Sequence, residues 1–149
     1  MTSKIVQLND LNIDRSKVIA TTNGCFDLLH YGHIHSLQSA RALSDFLIVL
    51  VNSDDSVRRL KGSNKPYNTE WYRAAQIASL QCVDQVIIFK EDSPEKALNY
   101  IKPTLHIKGS DYKEDNTKEY KTVIENGGKV VYVDNLACKE IVTKVKVYK

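Results

Sequence analysis

The chain of 149 residues is predicted to be an α/β protein: a single-domain, Rossmann-like parallel sheet flanked by helices. Three observations predict it. Short β-rich apolar runs alternate along the whole chain with segments of helical apolar spacing, the pattern of parallel strands joined by right-handed crossovers. Residues 46–51 form an unbroken apolar run, Phe-Leu-Ile-Val-Leu-Val, as expected of a strand covered on both faces. The length suits one domain with a sizeable core, with no internal repeat or low-complexity tract to divide it.

Residues 1–16 are polar and irregular and read as a leader segment before a domain spanning 17–149. Residues 18–23 are the first predicted strand. A helix is expected over 32–43, where Ile34, Leu37, Ala40 and Leu43 recur at helical spacing. After the 46–51 strand, 54–60 reads as a short helix. Residues 61–67 contain Gly, Ser, Asn and Pro and read as a mobile loop. Thr69 is placed to cap a helix running to Leu80. Residues 83–89 are strand-like, and Ser93-Pro94 opens a helix to Ile101 by cap-plus-proline chemistry. Residues 104–107 form a further strand and 109–116 a polar loop. A helix precedes Gly127-Gly128, a last strand covers 129–133, and a terminal helix is expected over 137–145.

Composition narrows the function classes. Apolar residues make up 42% and charged residues 26%, ordinary for a soluble globular protein. The net charge of +3 comes from scattered lysines, with no arginine-rich arm or aromatic track, so nucleic-acid binding is not called for. Mild basicity does suit small polyanions. Cys25, Cys82 and Cys138 are odd in number and widely spaced, which argues against a disulfide framework or a zinc site. No apolar run approaches the length of a membrane span and no signal core opens the chain, so a cytoplasmic protein without a membrane partner is expected.

The most informative segment is Thr22-Asn23-Gly24-Cys25-Phe26-Asp27-Leu28-Leu29-His30-Tyr31-Gly32-His33, where the first strand hands over to the first helix. A helix start offers unpaired N–H groups and a positive dipole end, a natural seat for phosphate. His30 and His33, spaced i, i+3 around Gly32, can face one anion from the same side.

This segment resembles the His-x-Gly-His signature of the cytidylyltransferase-like nucleotidyltransferases. Later blocks extend the likeness: Leu47 to Asp54, Ser56 to Gly62, Cys82-Val83-Asp84, Phe89 to Pro94, and Ile107-Lys108-Gly109-Ser110-Asp111-Tyr112. Together they resemble one branch, the adenylyltransferase of bacterial ADP-heptose synthesis. The resemblance implies transfer of a nucleoside monophosphate, AMP from ATP, to a sugar phosphate such as heptose 1-phosphate, with Mg²⁺ accompanying the triphosphate. It implies His30, His33 and Lys61 as catalytic groups. Asn23, Gly24, Cys25, Phe26, Gly32, Arg73, Gly109, Ser110, Asp111 and Lys139 are then nucleotide-binding, and Asp27 and Lys65 substrate-binding. It also implies a homodimer. His30, His33 and His35 are not read as a metal site, because no carboxylate or cysteine completes a familiar ligand spacing.

Competing readings remain for several of these positions: a turn closer for Asp27, a surface ion pair for Arg73, solvated lysines at 61 and 65. The alternative acceptor chemistry is a cytidylyltransferase, using CTP to make CDP-glycerol or a similar activated alcohol. A third reading is a catalytically silent nucleotide-binding protein. It is motivated by Asn135-Leu136-Ala137-Cys138-Lys139-Glu140, which stands where relatives carry a Ser-Thr-Thr type segment.

Overall fold

The computed structural model describes residues 2–109 and 115–133. Five strands, Ile19–Gly24 (β1), Phe46–Asn52 (β2), Gln85–Phe89 (β3), Leu105–Gly109 (β4) and Lys129–Val133 (β5), pair in parallel in the order β3-β2-β1-β4-β5. Between them run helices Tyr31–Ala42 (α1), Asp54–Lys61 (α2), Glu70–Ala78 (α3), Glu95–Ile101 (α4) and Lys118–Glu125 (α5). This is the predicted α/β architecture, and every strand lies within two residues of its expected bounds. The terminal helix expected over 137–145 lies outside the described residues.

The sheet is buried on both faces, which is why its central strands read as continuous apolar runs. Alternate residues of β2 serve different cores. Leu47, Val49 and Val51 pack with Leu37 and Ala40 of α1 and Ala74, Ile77 and Ala78 of α3. Ile48 and Leu50 pack on the other face with Ala97, Leu98 and Ile101 of α4 and Val123 of α5. Among the described residues no helix is long and apolar enough to cross a membrane.

Local chemistry sets most helix starts. Ser53, Thr69 and Thr117 accept hydrogen bonds from the N–H groups of Ser56, Tyr72 and Tyr120, capping α2, α3 and α5. The start of α4 differs from expectation. Pro94 is its capping residue, with no side-chain cap, and the buried Ser93 hydroxyl has no partner there. Proline's fixed φ suits a helix entrance, but the ring leaves Ser93 outside the geometry in which its hydroxyl reaches a helical N–H.

The residues expected as a leader are docked on the domain. Ile5 bridges in parallel to Val86 at the β3 edge, and the Val6 N–H donates to the Val86 carbonyl. Val6, Leu8, Leu11 and Ile13 pack against the α4–α5 core. Arg15 donates to the carbonyls of Ile101 and Lys102, satisfying the end of α4 where Lys102 turns left-handed. Apolar residues dispersed among polar ones hide this docking from a composition reading.

Candidate active site

Strand order reverses at β1: the chain proceeds from β1 to β2 and β3 on one side, then returns to β4 and β5 on the other. The connections leaving β1 and β4 therefore diverge, opening a crevice at their carboxyl ends. Two cavities occupy it. One, of about 300 Å³, lies between the ends of β1 and β4 and is lined by Thr22, Ile107, Lys108, Gly109, Ser36, Leu37, Glu119 and Val133. The other, of about 400 Å³, is lined by Gly24, Cys25, Asp27, Leu28, His30, Lys61, Lys65 and Tyr67. Asn23, Phe26 and His33 line both.

The two histidines form an interlocked helix cap. The Gly32 N–H donates to His30 Nδ1 at 3.0 Å, and the His30 N–H donates to His33 Nδ1 at 3.3 Å. The rings stack with centroids 3.9 Å apart. A ring nitrogen that accepts carries no proton, so in this cap both rings turn Nε2–H, their remaining donor, away from the backbone. Burial, then repulsion from a protonated His30 and from Lys61, push the His33 pKa down to about 4. His33 is thus a fixed neutral donor at physiological pH, and the backbone decides its tautomer.

Phe26 sits at φ +49°, a conformation that costs a bulky residue energy and concentrates at functional sites. The turn packs its ring edge-on to His33, with centroids 5.4 Å apart. Gly24 suits the same arrangement, because a Cβ there would meet the Phe26 ring at 3.0 Å and press it aside. Its absent side chain thus makes room for Phe26.

Asp27 closes neither a local turn nor an ion pair. Its carboxylate accepts from the N–H groups of Tyr67 and Asn68, both at 2.8 Å, and its carbonyl accepts from the Asn68 amide. The segment expected as a mobile loop is therefore pinned at its far end, while Lys61 belongs to the last turn of α2. Lys65, joined by a cis peptide to Pro66, lies 3.5 Å from the centroid of the Tyr67 ring. Lys61 and Lys65 both face the 400 Å³ cavity.

Arg73 is not the surface ion pair of the competing reading, since its side chain is 0% exposed; it stands behind the two cavities rather than among their lining residues. Its guanidinium donates to the carbonyls of Asn68, Cys25 and Asn52 and to the Asp54 carboxylate, at 2.7 to 3.0 Å. It ties the ends of β1 and β2, the start of α2 and the pinned loop to one planar group, and so supports the site through backbone.

A second polar cluster closes the 300 Å³ cavity. Lys108 Nζ lies 2.8 Å from Asp115, 2.9 Å from the Thr117 hydroxyl and 3.5 Å from Glu119. Burial alone would raise the Asp115 carboxyl, but bonds from Lys108, Thr117 and Tyr132 outweigh it and hold the group well below the usual carboxylate range. The sequence by itself assigns no role to Lys108 or Glu119. Lys108 carries a signal, its place at the carboxyl end of β4; Glu119 shows only the ordinary preference of a carboxylate for a first helical turn.

Of the residues expected in the site, Asn23, Gly24, Cys25, Phe26, Asp27, His30, His33, Lys61 and Lys65 converge on one cavity and Gly109 on its neighbour. Gly32 is buried in the first turn of α1, where its N–H serves the histidine cap. Ser110, Asp111 and Lys139 lie outside the described residues.

A nucleoside-sized crevice at a strand-order reversal, walled by a His-x-Gly-His helix start, agrees with the family comparison. The cytidylyltransferase-like family model matches residues 21–147. The chain belongs to the cytidylyltransferase-like family of nucleotidyltransferases. It is 43% identical over 146 residues to the bifunctional protein HldE of Campylobacter fetus, covering 96% of this chain and 31% of that protein. It is 46% identical over 138 residues to HldE of Haemophilus influenzae, covering 91% of this chain and 29% of that protein. The chain thus spans under a third of the length of these curated relatives. Among solved structures, the lipopolysaccharide core biosynthesis protein of Thermoplasma volcanium superposes with a TM-score of 0.65 at 32% identity, over 79% of this chain and 95% of that one. Pantothenate synthetase of Thermus thermophilus, at 14% identity and a TM-score of 0.58 over 88% of this chain and 61% of that one, shares the fold.

Proposed function

We propose that this nucleotidyltransferase domain transfers AMP from ATP to a sugar phosphate, heptose 1-phosphate being the leading acceptor, and releases pyrophosphate. The observation that carries the reading is the charge division of the crevice. The 400 Å³ cavity presents Lys61, Lys65 and two histidines, with its one carboxylate, Asp27, engaged by backbone N–H groups. The 300 Å³ cavity has apolar walls at Phe26, Leu37, Ile107 and Val133, and its Lys108 charge is met by Asp115 and Glu119. Phosphates belong in the first and the nucleoside in the second, which seats the α-phosphate near the shared residues His33, Phe26 and Asn23. The HldE relatives and the resemblance to the ADP-heptose branch support the choice of ATP and a heptose phosphate.

The chemistry needs no general base, because the attacking sugar phosphate oxygen is already ionised. It bonds to the α-phosphorus while the bond from that phosphorus to the bridging α–β oxygen breaks, and pyrophosphate leaves with the electron pair. The chain's task is to align the two anions and offset their charge. The Nε2–H groups of His30 and His33 donate to phosphate oxygens without a change of protonation, and Lys61 and Lys65 add positive charge. Pinning by Asp27 and Arg73 fixes these groups before substrate arrives. Mg²⁺ would enter on the triphosphate, since it keeps several waters and binds phosphate oxygens readily. Among the described residues no group of three or more His, Cys, Asp or Glu side chains is placed to hold a metal ion.

The test is pyrophosphate release over a matrix of nucleoside triphosphates and phosphorylated acceptors. Turnover with ATP that requires a sugar 1-phosphate is the expected result. Turnover only with CTP and a polyol phosphate would assign the cytidylyltransferase reading. Nucleotide binding without turnover across the panel would assign the silent binder favoured by the Cys138-Lys139-Glu140 stretch.

A further inference from the structure

The 300 Å³ cavity mixes apolar walls with polar side chains and carries one carboxylate that the fold does not use up. Lys108 is nearly buried, at 7% side-chain exposure, and Asp115, at 2%, already matches its charge at 2.8 Å. The ammonium donates to Asp115 and to the Thr117 hydroxyl, and Glu119 lies 3.5 Å from it. Asp115 is further engaged by the Thr117 N–H and hydroxyl and by the Tyr132 hydroxyl. Glu119 is the second carboxylate on a single ammonium, and at 3.5 Å the looser one. Its side chain is 19% exposed and it faces the cavity. Lys108, Asp115 and Glu119 together therefore leave one net negative charge at the wall. A carboxylate withdrawn from water needs donors, and a ligand that fills this cavity must supply them.

We propose that Glu119 is a base-selecting residue, accepting a hydrogen bond from the exocyclic amine of the nucleobase and so favouring amino over keto bases. The inference rests on the nucleotide assignment made above. Adenine and hypoxanthine differ at the exocyclic group, an N–H₂ donor against a carbonyl acceptor, and at the neighbouring ring nitrogen, an acceptor against an N–H donor. Cytosine and uracil differ in the same way, and the contact proposed for Glu119 is to the exocyclic group. A carboxylate accepts from the amine and repels the carbonyl oxygen. A site built around one such bond discriminates strongly, because the wrong base leaves a buried acceptor unpaired. Lys108 is already engaged by Asp115 and the Thr117 hydroxyl. An ordinary helix-start carboxylate would instead act on the stability of α5 and be indifferent to the base.

The experiment measures binding of ATP, ITP, CTP and UTP to the full chain by titration calorimetry, for the parent and for Glu119→Gln. The expected result is at least about tenfold tighter binding of ATP than ITP, and of CTP than UTP. Glu119→Gln, whose amide can donate to a carbonyl, brings both ratios near one. Equal binding of amino and keto partners by the parent, or unchanged ratios in the variant, overturns the proposal. Because ratios are compared, a general loss of affinity or stability in the variant does not mimic the effect, and Glu119→Ala, which must also lose the preference, gives a second check. An amino preference abolished in Glu119→Gln but without turnover would overturn the transferase reading and leave Glu119's role standing. Turnover with no base preference would do the reverse.

Discussion

Replacing Arg73 by methionine is the sharpest test of how the site is held. The substitution keeps the length and apolar bulk of the side chain and deletes a fully buried guanidinium with four protein acceptors. Two of these, the carbonyls of Cys25 and Asn52, share one nitrogen deep in the structure, and each stranded carbonyl costs about 1–3 kcal/mol. Removing one partner of a buried ion pair costs about 3–5 kcal/mol. Asp54 is 25% exposed and sits in the first turn of α2, where the helix dipole favours it, so the loss belongs at the low end. A destabilisation of about 3–4 kcal/mol is expected, or roughly a 10 °C fall in Tm for a domain of this size. Arg73→Lys should recover less than half, because one ammonium cannot span four acceptors set around a plane. Urea unfolding of the three proteins measures the difference. Turnover at a temperature where the variants remain folded should also fall, since the carbonyl of Cys25 at the site is no longer held. A Met variant within about 1 kcal/mol of the parent would refute the idea that this guanidinium organises the crevice.

Three further outcomes follow from the same geometry. His30→Ala and His33→Ala should each lower turnover by at least about 10²-fold, the scale for one preorganised donor; the unfolding free energy should drop by only about 0.5–2 kcal/mol, the value of a helix cap. Stability should fall as pH drops below about 6.5, because His33, with its pKa near 4, and His106, with its pKa pushed down to about 3 by burial and then by Lys108, stay neutral in the fold and take up protons on unfolding. The loss should be on the order of 3 kcal/mol for each of the two histidines by pH 4, seen as a lower urea midpoint, and His106→Gln should remove about half of it. Gly24→Ala should cost about 1–3 kcal/mol of stability, because its Cβ displaces the Phe26 ring that packs on His33; kcat should fall with it, and a variant with unchanged kcat would separate Phe26 from the positioning of His33.

Much of this molecule was written in features a few residues wide. The strands followed from apolar runs and the caps of α2, α3 and α5 from single hydroxyls, because a cap or a pleat is decided by neighbours three or four residues away. The place of the site was legible for the same reason: His30 and His33 meet across one helical turn wherever that helix lies. Tertiary structure decided the rest. Asp27 meets Tyr67 across 40 residues and Arg73 meets Cys25 across 48, so their partners depend on which strands lie side by side, which residue types do not state. Val6 to Ile13 looked like a polar leader because its apolar residues have no pattern of their own until β3 and α4 supply the surface that covers them. Glu119 was silent in the sequence, since a carboxylate in a first helical turn is commonplace; only the approach of α5 to β4 sets it beside Lys108 at a cavity wall and makes its charge consequential.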